Sequence, residues 1–473
     1  MNTRPVPAAI LLVLCFAGLM GAQQSRFAGE WKKERTDLGS CLDFTKLLSC
    51  GETLFTGKPF HIAAGSLAPG NGVGVGLSVL DHWSSRRNWR NNWSFDAVAT
   101  PNGSWRAGGY ATFVWSGPAT IDVGSGSDTG SNVDDSAAQE AARERPVIHA
   151  YSEATSLNRV AFFGLGLNSS DTGRSYFGIR EIINGSDVVL PLKFTKRLNV
   201  ALLGEARSRL VALRSSPGQS SPSIQTLYDS STAPGLKNQP GYAQFGEGVR
   251  IRPQIGNLRF NYLAQLQQFA APNNSTGSFQ RLTVDLGNQF AIYHTTRTLR
   301  PLDHNSPNDC SLDPEGAKCP EVKVPTAKTR NLEGSIGVRL LIQESILPAS
   351  HTVPFYFQPT LGGSDISGNN TLGSYQDYRF RAPNAILFRA NFEHSIWGPF
   401  GAMFLLDEGK VAINRSGVDF SHLRHSYSAG ITLRAGGFPM VQIVFSWGGS
   451  GGTHITGSVN NSLLGGNPRP SLY

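Results

Sequence analysis

Charge is scarce in this chain. Asp, Glu, Lys and Arg make up 16% of 473 residues, against roughly 25% in soluble domains. Long apolar runs are missing too. After residue 22 no stretch reaches the ~18 residues that a membrane helix needs, so a helical bundle in the bilayer is excluded. Histidine is sparse, at 10 residues. His61, His82 and His454 stand alone, with no H-E-x-x-H or comparable metal-ligand spacing. No Lys-Ser/Thr follows the glycines of 70–76, so a phosphate-binding loop is excluded there. Low hydrophobicity does not indicate disorder either, since Phe, Trp and Tyr together make up 10% of the chain.

Glycine and period-two patterning are abundant. Gly occurs 53 times. Residues 92–99 alternate Trp93, Phe95, Ala97 and Ala99 with Asn92, Ser94 and Asp96. A Thr100-Pro101-Asn102-Gly103 turn leads into a second alternating run over 104–115. In 257–267, Leu258, Phe260, Tyr262, Ala264 and Leu266 face away from Asn257, Arg259, Asn261, Gln265 and Gln267. Residues 331–343 and 426–434 repeat the pattern. These runs exceed the usual soluble strand of about 5–6 residues and match the ~9–11 of a membrane strand. One face is apolar and the other carries Arg, Glu, Asn and Gln. The expected fold is all-β: a transmembrane antiparallel β-barrel of 16 strands with apolar residues toward lipid and a wet lumen. Residues 174–193 read either as one strand or as a hairpin at Asn184-Gly185.

The beginning of the chain reads as an export signal. Arg4 precedes an apolar stretch from Ala8 to Leu19, and the small residues Gly21 and Ala22 precede Gln23. Val13 and Leu14 do not make the small-residue box that a lipoprotein cysteine at Cys15 requires. The organisation expected is a signal peptide over 1–22, a periplasmic segment over 23–59, a barrel over 60–464 and a tail over 465–473. Export places the other cysteines in an oxidising compartment. Cys41 with Cys50, and Cys310 with Cys319, each enclose a short loop and read as disulfides rather than a metal site. The long connections 117–145, 213–240, 298–328 and 361–383 are expected on the outer side, with tight turns on the periplasmic side.

The stretch 361–411 carries a family resemblance. It holds Leu361-Gly362-Gly363, then Thr371-Leu372-Gly373-Ser374-Tyr375, then Arg379-Phe380-Arg381, then Asn391-Phe392-Glu393, and finally Phe404 through Val411 with Asp407 and Gly409. This resembles the barrel of the BamA/TamA-like outer-membrane assembly-factor superfamily, the bacterial surface antigen type. Phe162 through Gly166 and Gly430 through Val444 support it. The resemblance implies a loop folded into the lumen, with Tyr375 and Arg379 or Arg381 near Glu393 and Asp407. Gly373 and Ser374 stand where the family pattern has Arg-Gly, and 23–59 leaves no room for a POTRA domain. The partners implied are outer-membrane lipid, and unfolded outer-membrane polypeptides or a separate POTRA-bearing protein. The alternative function is a passive pore or structural barrel.

Enzyme signals are weak. Gly448 through Gly452 fits G-x-S-x-G, but no helix follows, as a nucleophile elbow requires. The segment reads as a turn, and the chain as a non-enzyme without cofactor. Arg86, Arg87 and Arg90 lie among Trp83, Trp89 and Trp93. In an exported barrel they fit lipid phosphates or plain loop charges, not nucleic acid.

Overall fold

A computed structural model describes residues 31–32, 35, 59–84, 89–115, 145–192, 198–216, 222–299, 326–366, 370–435 and 438–459. Cys41, Cys50, Cys310, Cys319, the expected leader over 1–22 and the expected tail over 465–473 lie outside them.

The alternating runs form strands. In chain order these are β1 (Phe60–Ser66), β2 (Val73–Ser84), β3 (Trp89–Ala99), β4 (Trp105–Trp115), β5 (Val147–Phe162), β6 (Ser175–Pro191), β7 (Val200–Ser215), β8 (Tyr242–Ile251), β9 (Gln254–Ile255) and β10 (Leu258–Ala270). Then come β11 (Phe279–Leu299), β12 (Thr326–Ile346), β13 (Thr360–Leu361), β14 (Phe380–Arg381), β15 (Asn384–Trp397), β16 (Phe400–Ala412), β17 (Arg424–Ala435), β18 (Phe438–Gly449) and β19 (Gly452–Val459). One 17-stranded sheet holds all but β13 and β14. Without the two-residue stub β9, the wall has the sixteen strands expected among the described residues. The Asn184-Gly185 question resolves as the single strand β6.

Each wall strand runs antiparallel to its neighbour in sequence. The ends of the sheet, β1 and β19, approach to within 8 Å between Cα atoms. The side-chain phase follows the alternation. Phe95, Ile336, Phe404 and Ile431 are exposed on the outside, while Asp96, Gln267, Asp407 and Ser426 are buried on the inside. A sheet curved on itself separates the two faces because successive Cβ atoms point to opposite sides.

Strand parity assigns each connection to an end, and it corrects one expectation. Connections 216–241 and 347–383 share the end where β1 finishes. Connections 116–146 and 300–325 leave from the opposite end, where β1 begins. The long connections therefore divide between the two ends. Loop composition reveals flexibility and length, but the side is set only by the number of strands crossed.

The end where β1 finishes is capped by aromatic packing. Phe355 meets Phe162 at 5.0 Å and Phe177 at 5.1 Å, edge to face. Phe269 stacks on Phe279 at 4.5 Å, and Tyr242 meets Phe357 at 4.8 Å. Arg209 lies over the Phe357 ring at 4.6 Å, and Arg281 donates to the Phe357 carbonyl at 2.7 Å. Both guanidinium groups are buried against the rings, so cationic and aromatic groups pack together at this end.

The glycine-rich 70–76 segment completes the β1–β2 turn and opens β2. Gly70 and Gly72 adopt positive φ, 79° and 82°. Between them, fully buried Asn71 accepts from Ser104 Oγ (2.8 Å), Asn158 N (3.1 Å) and Arg159 N (3.0 Å). It also donates to Arg159 O at 2.7 Å. One amide thus joins the β1–β2 turn, the β3–β4 turn and the bulge of β5 at the capped end.

Candidate functional site: the inner loop and its anchor

The connection between β12 and β15 turns into the barrel. Its base is closed by the β13–β14 ladder, pairing Thr360 with Arg381 and Leu361 with Phe380. Gly166 N donates to Arg381 O at 2.7 Å and ties this base to the β5–β6 connection. Gly362 and Gly363 have φ of 103° and 59°. A Cβ on Gly362 would lie 2.6 Å from Arg379 Cβ, and one on Gly363 would lie 2.6 Å from Asp377 Cα. Glycine is required at both for the two halves of the loop to meet.

Inside the barrel the loop is packed, not suspended. Leu361, Leu372, Tyr375 and Phe380 are buried together with wall residues Leu387 and Val411. Tyr375 and Phe380 meet edge to face at 5.0 Å. Gly409 makes room on β16. A Cβ there would stand 3.2 Å from Leu361 Cδ1 and 2.8 Å from Ile386 O.

The polar anchor is centred on Asp407. Arg389 grips it with Nε–Oδ1 at 2.6 Å and Nη2–Oδ2 at 2.9 Å. The Leu372 N–H donates to Asp407 Oδ2 at 3.0 Å, and Arg389 also donates to the Asn370 carbonyl. The wall pair therefore holds the loop by its backbone on both sides of Thr371. Ser374 N donates to Ser426 Oγ at 2.9 Å, and Gly449 N donates to Ser374 Oγ at 3.0 Å. Leu372 adopts φ of 48°, a strained conformation that costs about 1–3 kcal/mol and persists only where surroundings over-determine it. The charge-assisted bonds at Asp407, worth roughly 1.5–3 kcal/mol each, are of the size needed to hold it.

Several expected partners are elsewhere. The cation on Asp407 is Arg389, which shares the inward phase of β15. Arg379 instead reaches Asp171 (2.5 Å) and Ser169 Oγ (2.7 Å), between the Phe163 and Phe380 rings. Arg381 donates to the Phe355 carbonyl at 2.7 Å in the aromatic cap. Glu393 pairs with Arg434 at 3.1 Å. Its register partner on β16 is Met403, whereas Asp407 is opposite Arg389. Four residues of strand separate the two levels, about 13 Å. Phase correctly turns Glu393 inward but says nothing about depth.

Two further contributors come from segments read as plain turns. A Cβ on Gly449 would lie 2.4 Å from Tyr375 Cε2, and one on Gly451 would lie 2.8 Å from the Ser374 carbonyl. The Gly448–Gly452 stretch is the β18–β19 turn, and its glycines admit the loop. Gly373 has the same role from the loop side, since a Cβ there would meet Ser446 Oγ at 2.4 Å.

Beside the anchor lies a cavity of about 780 Å³. Its wall carries interlocked charge. Arg207 pairs with Glu205 at 2.8 Å and Asp187 at 2.9 Å. Arg339 holds Asp285 through two 2.8 Å bonds. Glu205 also accepts from Gln244, Gln265 and Gln267 at 2.7, 3.1 and 2.7 Å. Such a network stiffens the wall because each bond polarises its neighbours.

No protein-family model and no curated protein matches this sequence. Among solved structures, CdiB from Escherichia coli aligns with TM-score 0.44 and 10% identity, over 81% of this chain and 57% of that one. BamA from Haemophilus ducreyi lacking POTRA domains 1–3 aligns with TM-score 0.44 and 10% identity, over 85% and 70%. The siderophore receptor PirA from Pseudomonas aeruginosa aligns with TM-score 0.26 and 8% identity, over 84% and 71%. This chain thus spans a little over half the length of CdiB. None of these likenesses assigns a function.

Proposed function

We propose that this chain is an outer-membrane β-barrel of the assembly and translocation kind, with unfolded outer-membrane polypeptides as clients. The membrane part of the reading is supported by the exposed exterior. Phe95, Phe404, Ile431 and Ile443 are each more than half exposed on the outward phase. A soluble protein rarely leaves so much contiguous apolar surface in water. Lipid satisfies that surface, and a sheet bent on itself satisfies its own backbone.

The observation that carries the assembly part is the loop anchor. A wall Asp407–Arg389 pair grips the backbone of the returning loop at Asn370 and Leu372. Through Ser426 and Gly449 the same loop touches β17 and the β18–β19 turn. The loop therefore braces the last strands of the sheet, beside the line where β19 meets β1. A passive pore needs a water path through both ends. The aromatic packing around Phe355 and Phe357 blocks one, so the pore is the weaker reading.

The test is depletion of the protein followed by a census of the outer-membrane proteome, with complementation by wild type, Asp407→Ala and Ser450→Ala. The assembly reading expects loss of other barrel proteins, restored by wild type and Ser450→Ala but not by Asp407→Ala. An unchanged proteome together with measurable ion conductance would leave the passive pore in its place.

A further inference from the structure

Inside the barrel, arginines come with carboxylates. Arg106, Arg207, Arg209, Arg339 and Arg389 each close an ion pair. The outer face of β5, β6 and β7 is different at the capped end. Arg159, Arg174, Arg180 and Arg214 gather there, and among the described residues none of them pairs with a carboxylate. No Asp or Glu holds an outward position on these three strands.

Register fixes the face. Arg180 is opposite Ser156 on β5 and Ala212 on β7, and Arg214 is opposite Gly178. These positions share the outward phase of Ile182 and Leu210, which pair with each other one step further from the capped end and are exposed by 37% and 49%. A Cβ on Gly178 would lie 2.7 Å from Arg214 Cγ, so the Arg214 side chain lies flat across β6. It reaches β5 and donates to Ser156 Oγ at 2.7 Å and to Asn158 Oδ1. Nearer the end of the barrel, Arg159 and Arg174 stand over the Tyr176 ring, 4.4 and 5.7 Å from its centre. Arg174 also donates to the neutral Gln376 Oε1 at 3.3 Å. Arg180 is exposed and close enough to Arg214 for the two charges to repel. Like charges gathered on one face are unfavourable until an anion joins them.

We infer that this face binds the headgroup of a lipid carrying two or more phosphates, in the leaflet at the capped end. The cations stand where the apolar exterior gives way to the end of the barrel, the level at which lipid headgroups attract basic residues. A guanidinium offers the forked donor set that phosphate oxygens accept. The four arginines flank a stretch of β6 from Tyr176 to Arg180, about 13 Å long. That span and charge exceed a single phosphodiester and suit two phosphate monoesters of about −1.5 to −2 each. The inference rests on the membrane part of the proposed function and not on assembly activity.

The purified barrel, its folding verified by heat-modifiable gel mobility, is reconstituted in phosphatidylcholine nanodiscs doped with diphosphoryl lipid A or, at equal mole fraction, with phosphatidylglycerol. Native mass spectrometry after release into detergent counts the lipid retained. One diphosphoryl lipid A per barrel, with phosphatidylglycerol held about tenfold more weakly or worse, is the result expected. Arg174→Gln with Arg180→Gln should cut retention about tenfold at unchanged gel mobility, since both side chains are exposed. Arg415→Gln, which removes an exposed charge elsewhere at the same end, should retain the lipid. Equal retention of the two lipids, or of lipid A by wild type and the double variant, overturns the proposal. Inorganic pyrophosphate that binds the detergent-solubilised barrel as tightly as lipid A would make this a site for free phosphate and overturn the lipid assignment. A barrel that enters the nanodiscs but holds neither lipid overturns this inference alone, whereas one that fails to enter them overturns the membrane reading as well.

Discussion

Arg389 and Asp407 stand directly opposite each other across β15 and β16 and close a two-pronged ion pair of 2.6 and 2.9 Å on the lumen side. The carboxylate is almost wholly buried, with 2% of its side chain accessible. Both partners also hold loop backbone, so neither can be removed without stranding the other.

Asp407→Ala should therefore loosen the inner loop by about 1.5–3 kcal/mol, and Arg389→Ala should cost a comparable amount. Because the two residues act as one clamp, the double variant should fall well short of the sum. Protease access to 361–383 and heat-modifiable mobility measure it, with Ser450→Ala as an unaffected control. Additive single effects would mean that the pair does not act jointly on the loop.

Gly373→Ala tests the close approach of loop and wall. The added Cβ meets Ser446 Oγ at 2.4 Å, and overpacking of this kind costs typically 1–3 kcal/mol. Ser446→Gly in the same chain should recover most of the loss. If the single variant has wild-type resistance to protease, the loop does not sit against β18 as described.

Asn71→Ala removes the acceptor of three donors at once. Asn158 N keeps Ser104 Oγ as a second acceptor, but the Ser104 hydroxyl and Arg159 N lose the amide oxygen, at about 1–3 kcal/mol for each buried donor left unmet. The expected outcome is a clear fall in the urea midpoint of the folded barrel, with the inner-loop protease pattern unchanged. A variant as stable as wild type would show that the amide is not the tie between the two turns and β5.

The aromatic cap should keep the lumen closed to ions. Wild type is expected to be silent in a planar bilayer. The double variant Phe355→Ala with Phe357→Ala should conduct, since it empties the centre of the ring cluster. Conductance by wild type would place the water path elsewhere and revive the passive pore.

Asp419 gives a pH signature at the capped end. Hydrogen bonds from Lys410, then from the Ser421 hydroxyl and amide, hold its carboxyl well below the usual carboxylate range. A folded value below the unfolded one means stability that is present above the unfolded pKa and lost as pH falls through the folded one. The 413–423 connection should keep its protease resistance through mildly acid pH and lose it only below the ordinary Asp range. Asp419→Asn should flatten that acid-side dependence.

The strands, their faces and their number were legible in the chain itself. Alternation in 257–267 or 426–434 is a local property with period two, so each side chain is assigned inside or outside without knowledge of its neighbours. The same periodicity turned Glu393 and Asp407 inward. Arg389 shares their phase but went unmarked, because the family-like motif drew attention to Arg379 and Arg381 instead. The turn glycines were visible as turns, but not as the floor beneath Tyr375. Depth along the barrel, the pairing of Arg389 with Asp407 and of Arg434 with Glu393, and the end from which each loop leaves belong to tertiary structure. Those relations depend on the register between strands and on how many strands precede each connection. Residues 18 positions apart, such as Arg389 and Asp407, become neighbours only when the ladder between β15 and β16 has formed.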